Sequence, residues 1–253
     1  MSRTFADNLR RICREIYVNF VKIFRGGHAC GGAWGGGFHV KWLYMGWGHH
    51  RRGRRGYHHG DLREALIAAA LSLIAEKGPF GFGFVDAARW AGVSPAAPYR
   101  HFRDREALMA EVARRGFETF GAALTGAWRH GEPDALTALT RVGKAYLAFA
   151  REEHGYYAAM FEAGIPAAAS PELETAAQSA FAILREAADT LSSKLPPAQR
   201  PPALMTALHI WAMSHGIASL FARGDGGQRT LPMTADDLLE AGVLVYLRGL
   251  GLA

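Results

Sequence analysis

Phe84-Val85-Asp86-Ala87-Ala88-Arg89-Trp90-Ala91-Gly92-Val93-Ser94-Pro95-Ala96-Ala97-Pro98-Tyr99-Arg100-His101-Phe102 decides the reading of this chain. It spells two short helices joined by a glycine. Val85 and Ala88 are expected to face inward, and the small Ala88 lets a second helix cross closely. Gly92 stands where the chain must turn sharply, because glycine takes positive φ at no steric cost. Val93 fills the angle, Ser94 is the expected N-cap and Pro95 suits a first helical position. Phe102 closes the core. This is the pattern of a helix-turn-helix, whose second helix enters a DNA major groove.

The residues of that second helix, expected over 95–101, fit such a surface. Ala96 and Ala97 let the backbone come close to a groove floor, and an alanine methyl can touch a thymine methyl. Tyr99, Arg100 and His101 can reach phosphates or base edges. Asp104 is expected to cap the next helix, and Arg105 sits in its first turn, where backbone amides also favour a phosphate.

Outward from this motif the pattern is helical throughout. Helices are expected over 61–77, 84–91, 95–101, 104–128, 134–152, 154–163, 171–193, 199–222 and 234–250, with turns at Gly or Pro and no convincing strand. The fold class is therefore all-α, with three N-terminal helices followed by a larger bundle. The expected domains are 1–56, a basic Gly-rich extension; 57–105, the helix-turn-helix domain; and 106–253, a ligand-binding and dimerisation domain.

The 253 residues are 49% hydrophobic, enough to bury a core. Charge is uneven: residues 1–59 carry a balance of +9 and the remainder −3. Basic arms favour polyanions such as DNA or anionic lipid. Phe5, Leu9, Ile12, Ile16, Phe20 and Ile23 give an amphipathic helix, and residues 26–37 are glycine-rich. Three readings of this segment stand: a flexible basic extension, a start-site artefact with initiation at Met45, or a helix for a membrane surface or partner. Cys13 and Cys30 form no disulfide framework, which points to a reducing cytoplasm. His49, His50, His58 and His59 lack acidic or cysteine companions and read as solvated or phosphate-contacting, so no metal and no cofactor is expected.

Residues 57–250 resemble the TetR family of bacterial transcriptional regulators. The resemblance is strongest in Ala91–Phe102 and in Asp104-Arg105-Glu106-Ala107-Leu108. Trp211-Ala212-Met213-Ser214-His215-Gly216 is similar to the signature of a Trp-His-Gly subgroup. The resemblance implies a homodimeric repressor, released from a palindromic operator when a small apolar or aromatic effector changes the separation of the two DNA-reading heads. It puts DNA contacts on Ser94, Ala96, Ala97, Tyr99, His101 and Arg105, with Tyr57 and His58 at the start of the first helix, beside the Arg100 contact read from the residues themselves. Two positions depart from the family pattern. Gly83 stands where a Ser or Thr cap is usual, and Trp90 where a charged residue is common.

In the C-terminal half, Tyr146, Phe149, Tyr157, Met160, Phe161, Phe181 and Trp211 are the candidate pocket residues, with His215 as the polar group. Aromatic and Met-lined cavities with few polar groups suit apolar ligands. Trp211 and His215 share a helix face. Ala212, Gly216 and Ser219 make a small-residue seam, and Leu238, Leu239, Val243, Val245, Tyr246 and Leu250 an apolar surface too rich for a lone helix. Together they suggest a four-helix, twofold dimer interface. Glu152, Glu153 and His154 read as solvated turn residues. A helical small-molecule-binding protein or enzyme without a DNA target is the alternative. Against it, no GxxxxGK[ST], GxSxG or HExxH motif is present.

Overall fold

The computed structural model describes residues 62–222 and 233–253, and these are all-helical. Tyr57, His58 and the whole basic extension lie outside the described residues. The elements are α1 (Leu62–Lys77), α2 (Phe84–Trp90), a 3-10 turn (Ala97–Arg100), α3 (Arg105–Trp128), α4 (Ala135–Glu152), α5 (His154–Phe161), α6 (Pro171–Ser192), α7 (Ala203–Ala222) and α8 (Ala235–Gly249).

Four of these helices begin at a side chain that caps the backbone next to it. The Asp104 carboxylate accepts from the Ala107 N–H at 2.8 Å and starts α3. Asp134 accepts from the N–H groups of Leu136 and Thr137 at α4. Ser170 accepts from Leu173 N–H at α6, with Pro171 in the first helical position. At α8, Thr234 and Asp237 form a reciprocal capping box. The helix expected over 199–222 begins later, at Ala203. Pro201 and Pro202 have no N–H to donate, so the first helical bond runs from Thr206 N–H to the Pro202 carbonyl.

α3 is the central element, packed by α4, α5 and α6 along its length and by α1 near its start. Leu108, Val112, Phe120, Leu124 and Trp128 line its inner face and are buried. The Trp128 indole N–H donates to Glu186 on α6 at 2.8 Å, which satisfies its polar edge inside the core. Two glycines allow close packing. A Cβ at Gly116 would lie 2.7 Å from Met160 Sδ of α5, and one at Gly143 3.1 Å from Leu239 of α8.

α7 and α8 pack on each other and on α4. Among the described residues, Ala203–Phe221 is the only helical stretch long and apolar enough to cross a membrane, with a mean hydropathy of 1.2. It packs on α6, α4 and α8 yet leaves Met205 and Leu220 on the surface.

Candidate functional site

The N-terminal unit is built on one turn. The Gly92 φ is +72°, Gly92 N–H donates to the Arg89 carbonyl at 3.1 Å, and Val93 N–H reaches back to Ala88 at 3.0 Å. This pair of bonds is a Schellman motif; it ends α2 and redirects the chain. Ala87 and Ala88 are fully buried, which permits the close crossing. Val85, expected to face inward, is 46% exposed; Phe84, next to it, takes the buried position. Phe102 is buried as expected.

The segment expected as a helix over 95–101 is a single 3-10 turn, Ala97–Arg100. Pro98 explains the difference. It has no N–H to give the Ser94 carbonyl and disfavours α geometry at Ala97, so Ala97 N–H bonds Ser94 instead, at 3.0 Å. Ser94 thus contributes its carbonyl; the turn has no side-chain cap, and Ala96 occupies the cap position. Ser94, Pro95, Ala96, Tyr99, Arg100 and His101 are all exposed, Ala97 half-buried and Pro98 buried. Tyr99 is anchored edge-on to Phe84, ring centroids 5.0 Å apart, while 59% exposed. The result is a polar, aromatic surface on a rigid underside.

Arg105 differs from expectation. Its Nε donates to the Phe82 carbonyl at 2.9 Å, its Nη2 to the Pro79 carbonyl, and its guanidinium stacks over the Phe82 ring at 4.7 Å. Burial pulls its pKa down. Arg105 therefore clamps the α1–α2 loop. At Gly83, where a hydroxyl cap was missing in the sequence, Asp86 supplies the bond: Gly83 N–H donates to Asp86 Oδ2 at 2.8 Å.

Sequence reasoning missed the ion-pair network that joins α1 to α3. Glu111 accepts from Arg63 at 2.9 Å, from Arg114 at 2.8 and 2.9 Å, and from Arg115 at 3.0 Å. Arg115 also grips Glu64 through both terminal nitrogens, and Arg114 bonds Glu118. Arg114 foremost, then Arg63 and Arg115, hold the Glu111 carboxyl down to about 2. The spacing of Glu111, Arg114, Arg115 and Glu118 was readable as helical pairs. The link to Arg63 and Glu64 was not, since it depends on how α1 crosses α3.

The candidate pocket residues do come together, as a packed cluster. Phe120 meets Tyr146 edge-on and Phe149 tilted, each at 5.0 Å. Phe161 lies 4.9 Å from Tyr157, 5.0 Å from His215 and 6.3 Å from Trp211, and Trp211 lies 5.5 Å from Phe181. Met160 is buried beside them against Gly116. At the centre, the Tyr157 and Tyr146 hydroxyls lie 2.8 and 3.3 Å from His215 Nδ1, and Trp211 N–H donates to the Tyr146 oxygen at 3.2 Å. Burial lowers the His215 pKa and raises those of both tyrosines. The rings of this cluster pack against one another. Two cavities elsewhere have none of these eight residues in their walls. One is a groove of about 650 Å³ between α3 and α6, the other a cleft of about 280 Å³ among α4, α7 and α8.

Of the seam and interface candidates, Ala212 is exposed and Gly216 half-buried, and a Cβ at Gly216 would meet nothing within 4 Å. Val243 and Tyr246 are half-buried, Tyr246 with its hydroxyl 2.9 Å from His209 Nδ1. Two candidates have partners within this chain. Leu239 is 4% exposed and packs into Gly143 of its own chain. Ser219 is half-buried and stands close enough to the Tyr157 hydroxyl to act on it.

An exposed reading turn on a Schellman corner, tied to a helical body with a buried polar-aromatic centre, defines a helix-turn-helix regulator. Residues 66–112 match the model of bacterial regulatory proteins of the tetR family, and residues 139–246 that of the tetracyclin repressor-like C-terminal domain. A protein of unknown function from Rhodococcus sp. RHA1 is 31% identical, with a TM-score of 0.64 over 77% of this chain and 98% of that one. The TetR family transcriptional regulator PfmR from Thermus thermophilus is 21% identical, TM-score 0.55, over 74% and 95%. A bacterial regulatory protein in the tetR family from Rhodococcus RHA1 is 20% identical, TM-score 0.58, over 76% and 98%. No curated protein matches the chain. The chain belongs to the TetR family of bacterial transcriptional regulators.

Proposed function

We propose that this regulator is a ligand-responsive repressor that binds a palindromic operator as a homodimer. Its exposed 94–101 turn carries the reading. Ser94, Ala96, Ala97, Tyr99, Arg100 and His101 face the groove, and Arg105 acts from behind by fixing the 79–82 loop. Two such heads would occupy half-sites about 34 Å apart. The domains are taken as 57–105 for reading and 106–253 for effector binding and dimerisation, with 1–56 as an extension.

The effector is a small apolar or aromatic molecule received by the Tyr146–Tyr157–Trp211–His215 cluster. Four polar atoms converge there inside an otherwise apolar shell, a composition suited to one polar group on a mainly apolar ligand. Entry requires the rings to part, which gives the ligand the differential affinity that regulation needs. The same Trp211 and His215 support placement in the Trp-His-Gly subgroup. Dimerisation uses the outer face of α7 and α8, where Met205, Leu220 and Val245 are 49%, 60% and 71% exposed. The role is regulatory, not enzymatic, and cytoplasmic.

Gel-shift titration against DNA flanking its own gene, with competitor DNA at near-physiological salt, tests the reading. Tyr99→Ala and His101→Ala should each lower specific affinity about tenfold, with thermal unfolding unchanged in His101→Ala and lowered by only a few degrees in Tyr99→Ala, which loses its contact with Phe84. Unchanged affinity in both variants would overturn the assignment of the reading turn.

A further inference from the structure

The reading head has little positive charge left for a polyanion. Residues 62–105 hold six Lys and Arg against four Asp and Glu. Arg63 bonds Glu111, Arg89 pairs with Asp86, Arg103 pairs with Asp104, and Arg105 is committed to the Phe82 and Pro79 carbonyls. The Asp86 and Asp104 pairs lie at the surface, where each carboxylate offsets its arginine whichever way the arginine turns. Lys77 and Arg100 are exposed and form no ion pair among the described residues. A protein that grips duplex DNA tightly neutralises about 6–10 phosphates. Two such cations fall short of that, even in a pair of heads.

The missing charge stands immediately upstream. Arg51-Arg52-Gly53-Arg54-Arg55 puts four guanidinium groups within five residues and contains no acid. It follows Met45, so it is retained whichever start is used. The stretch lies outside the described residues, but the place where the chain enters the head lies within them. α1 begins at Leu62, and the Arg63 guanidinium stacks over the Phe102 ring at 5.2 Å. Phe102 N–H in turn donates to the Pro98 carbonyl inside the reading turn, at 3.0 Å. The chain therefore enters the head beside the surface that faces the major groove. Arg55 and Arg51 precede Leu62 by 7 and 11 residues. Those lengths of chain span up to about 24 and 38 Å. The next minor groove is about half a helical turn, ~17 Å, from a major-groove contact, within reach of both.

We propose that Arg51–Arg55 makes a second DNA contact, in the minor groove flanking each half-site, and that this contact prefers A·T base pairs. The placement rests on the reading of the 94–101 turn as the major-groove surface. The minor groove is only ~6 Å wide, and A·T runs narrow it further and deepen its negative potential. A planar, weakly hydrated guanidinium suits that slot better than an ammonium. Gly53 between the two arginine pairs has no side chain to hold the backbone away from the groove walls. Entry beside the reading turn favours DNA over a lipid surface as the polyanion this arm meets.

The test is fluorescence anisotropy of the full chain on two short labelled duplexes, one alternating A·T and one alternating G·C, across a salt series. The natural chain should prefer the A·T duplex, and netropsin, which fills the A·T minor groove, should remove that preference. Replacing Arg51, Arg52, Arg54 and Arg55 together by Ala should lower the slope of log affinity on log salt by about 3–4 for each chain bound, and abolish the preference. Replacing the same four by Lys should keep the slope and lose the preference. Tyr99→Ala removes no charge and should leave the slope unchanged, so failure of the reading turn and failure of the arm give different results. An unchanged slope in the four-alanine variant, or no binding of the natural chain to either duplex, would overturn the contact. Equal affinity of the natural chain for the two duplexes, or a preference that survives netropsin, would remove it from the minor groove. Loss of binding to phosphatidylglycerol vesicles in the four-alanine variant, with its DNA slope intact, would assign the arm to a lipid surface instead.

Discussion

Replacing Glu111 by Gln tests the link between α1 and α3 most directly. The carboxyl is only 10% exposed and accepts from three arginines. Its pKa, held from 4.5 down to about 2, corresponds to about 3 kcal/mol of favourable interaction for the ionised form. The partners are wetter: Arg63 is 43% exposed, and Arg114 and Arg115 are each 24% exposed. Screening at that exposure brings the figure to about 1.5 kcal/mol. The variant leaves Arg115 with Glu64 and Arg114 with Glu118 but takes the ion-pair partner from Arg63. For a folded unit of this size the expected drop in Tm at neutral pH is about 3–6 °C. Because the folded carboxyl titrates below the unfolded one, this contribution is complete above about pH 4.5 and fades as pH falls toward 2. Circular-dichroism melts of the natural protein and Glu111→Gln, taken from about pH 7 to pH 3.5, should therefore converge on the acid side. A Tm gap of the same size at every pH, or no gap at neutrality, would refute the ion-pair account.

Two further substitutions probe the body. Gly116→Ala would push a methyl to 2.7 Å from Met160 Sδ and 3.2 Å from Tyr156 Cβ. It should cost about 1–3 kcal/mol by overpacking, measured by urea unfolding, and Met160→Ala in the same chain should recover part of that loss. His215, held neutral by burial, must deprotonate to fold once the pH is below 6.5. Stability should fall with pH below that value, and His215→Gln should flatten this slope in melts near pH 5 to 7; an unchanged slope would remove His215 as its source.

Much of the fold was legible because its punctuation is local. Gly92, Asp104, Asp134, Ser170 and Thr234 act on backbone within a few residues, so helix limits fell within one or two positions at most ends. Where the reading slipped, a second constraint intervened. Pro98 turned the expected 95–101 helix into a 3-10 turn, and Pro201-Pro202 delayed α7. Val85 and Phe84 compete for one inward position, and the larger ring takes it. Sequence spacing placed Arg105 at a helix start but could not show that two loop carbonyls from 79 and 82 lie within reach. Aromatic richness located the buried centre without showing that the rings close upon one another. Leu239 carried the right hydropathy for an interface, yet Gly143 opposite it opens a socket in its own chain. The prolines and the Phe84–Val85 exchange act locally, whereas the Arg105, aromatic and Leu239 contacts join residues distant in sequence.

Arg105 and the Glu111 network grip the N-terminal unit from two sides, the first at the opening residue of α3 and the second two turns further along. The head is thereby bolted to one end of a 24-residue rod about 36 Å long. Geometry then amplifies small motions. A swing of about 5° pivoting at Trp128 carries the Arg105 end through about 3 Å, the span of one hydrogen bond. A reading surface mounted this way need not deform to lose its target; it has only to be carried out of register with its twin.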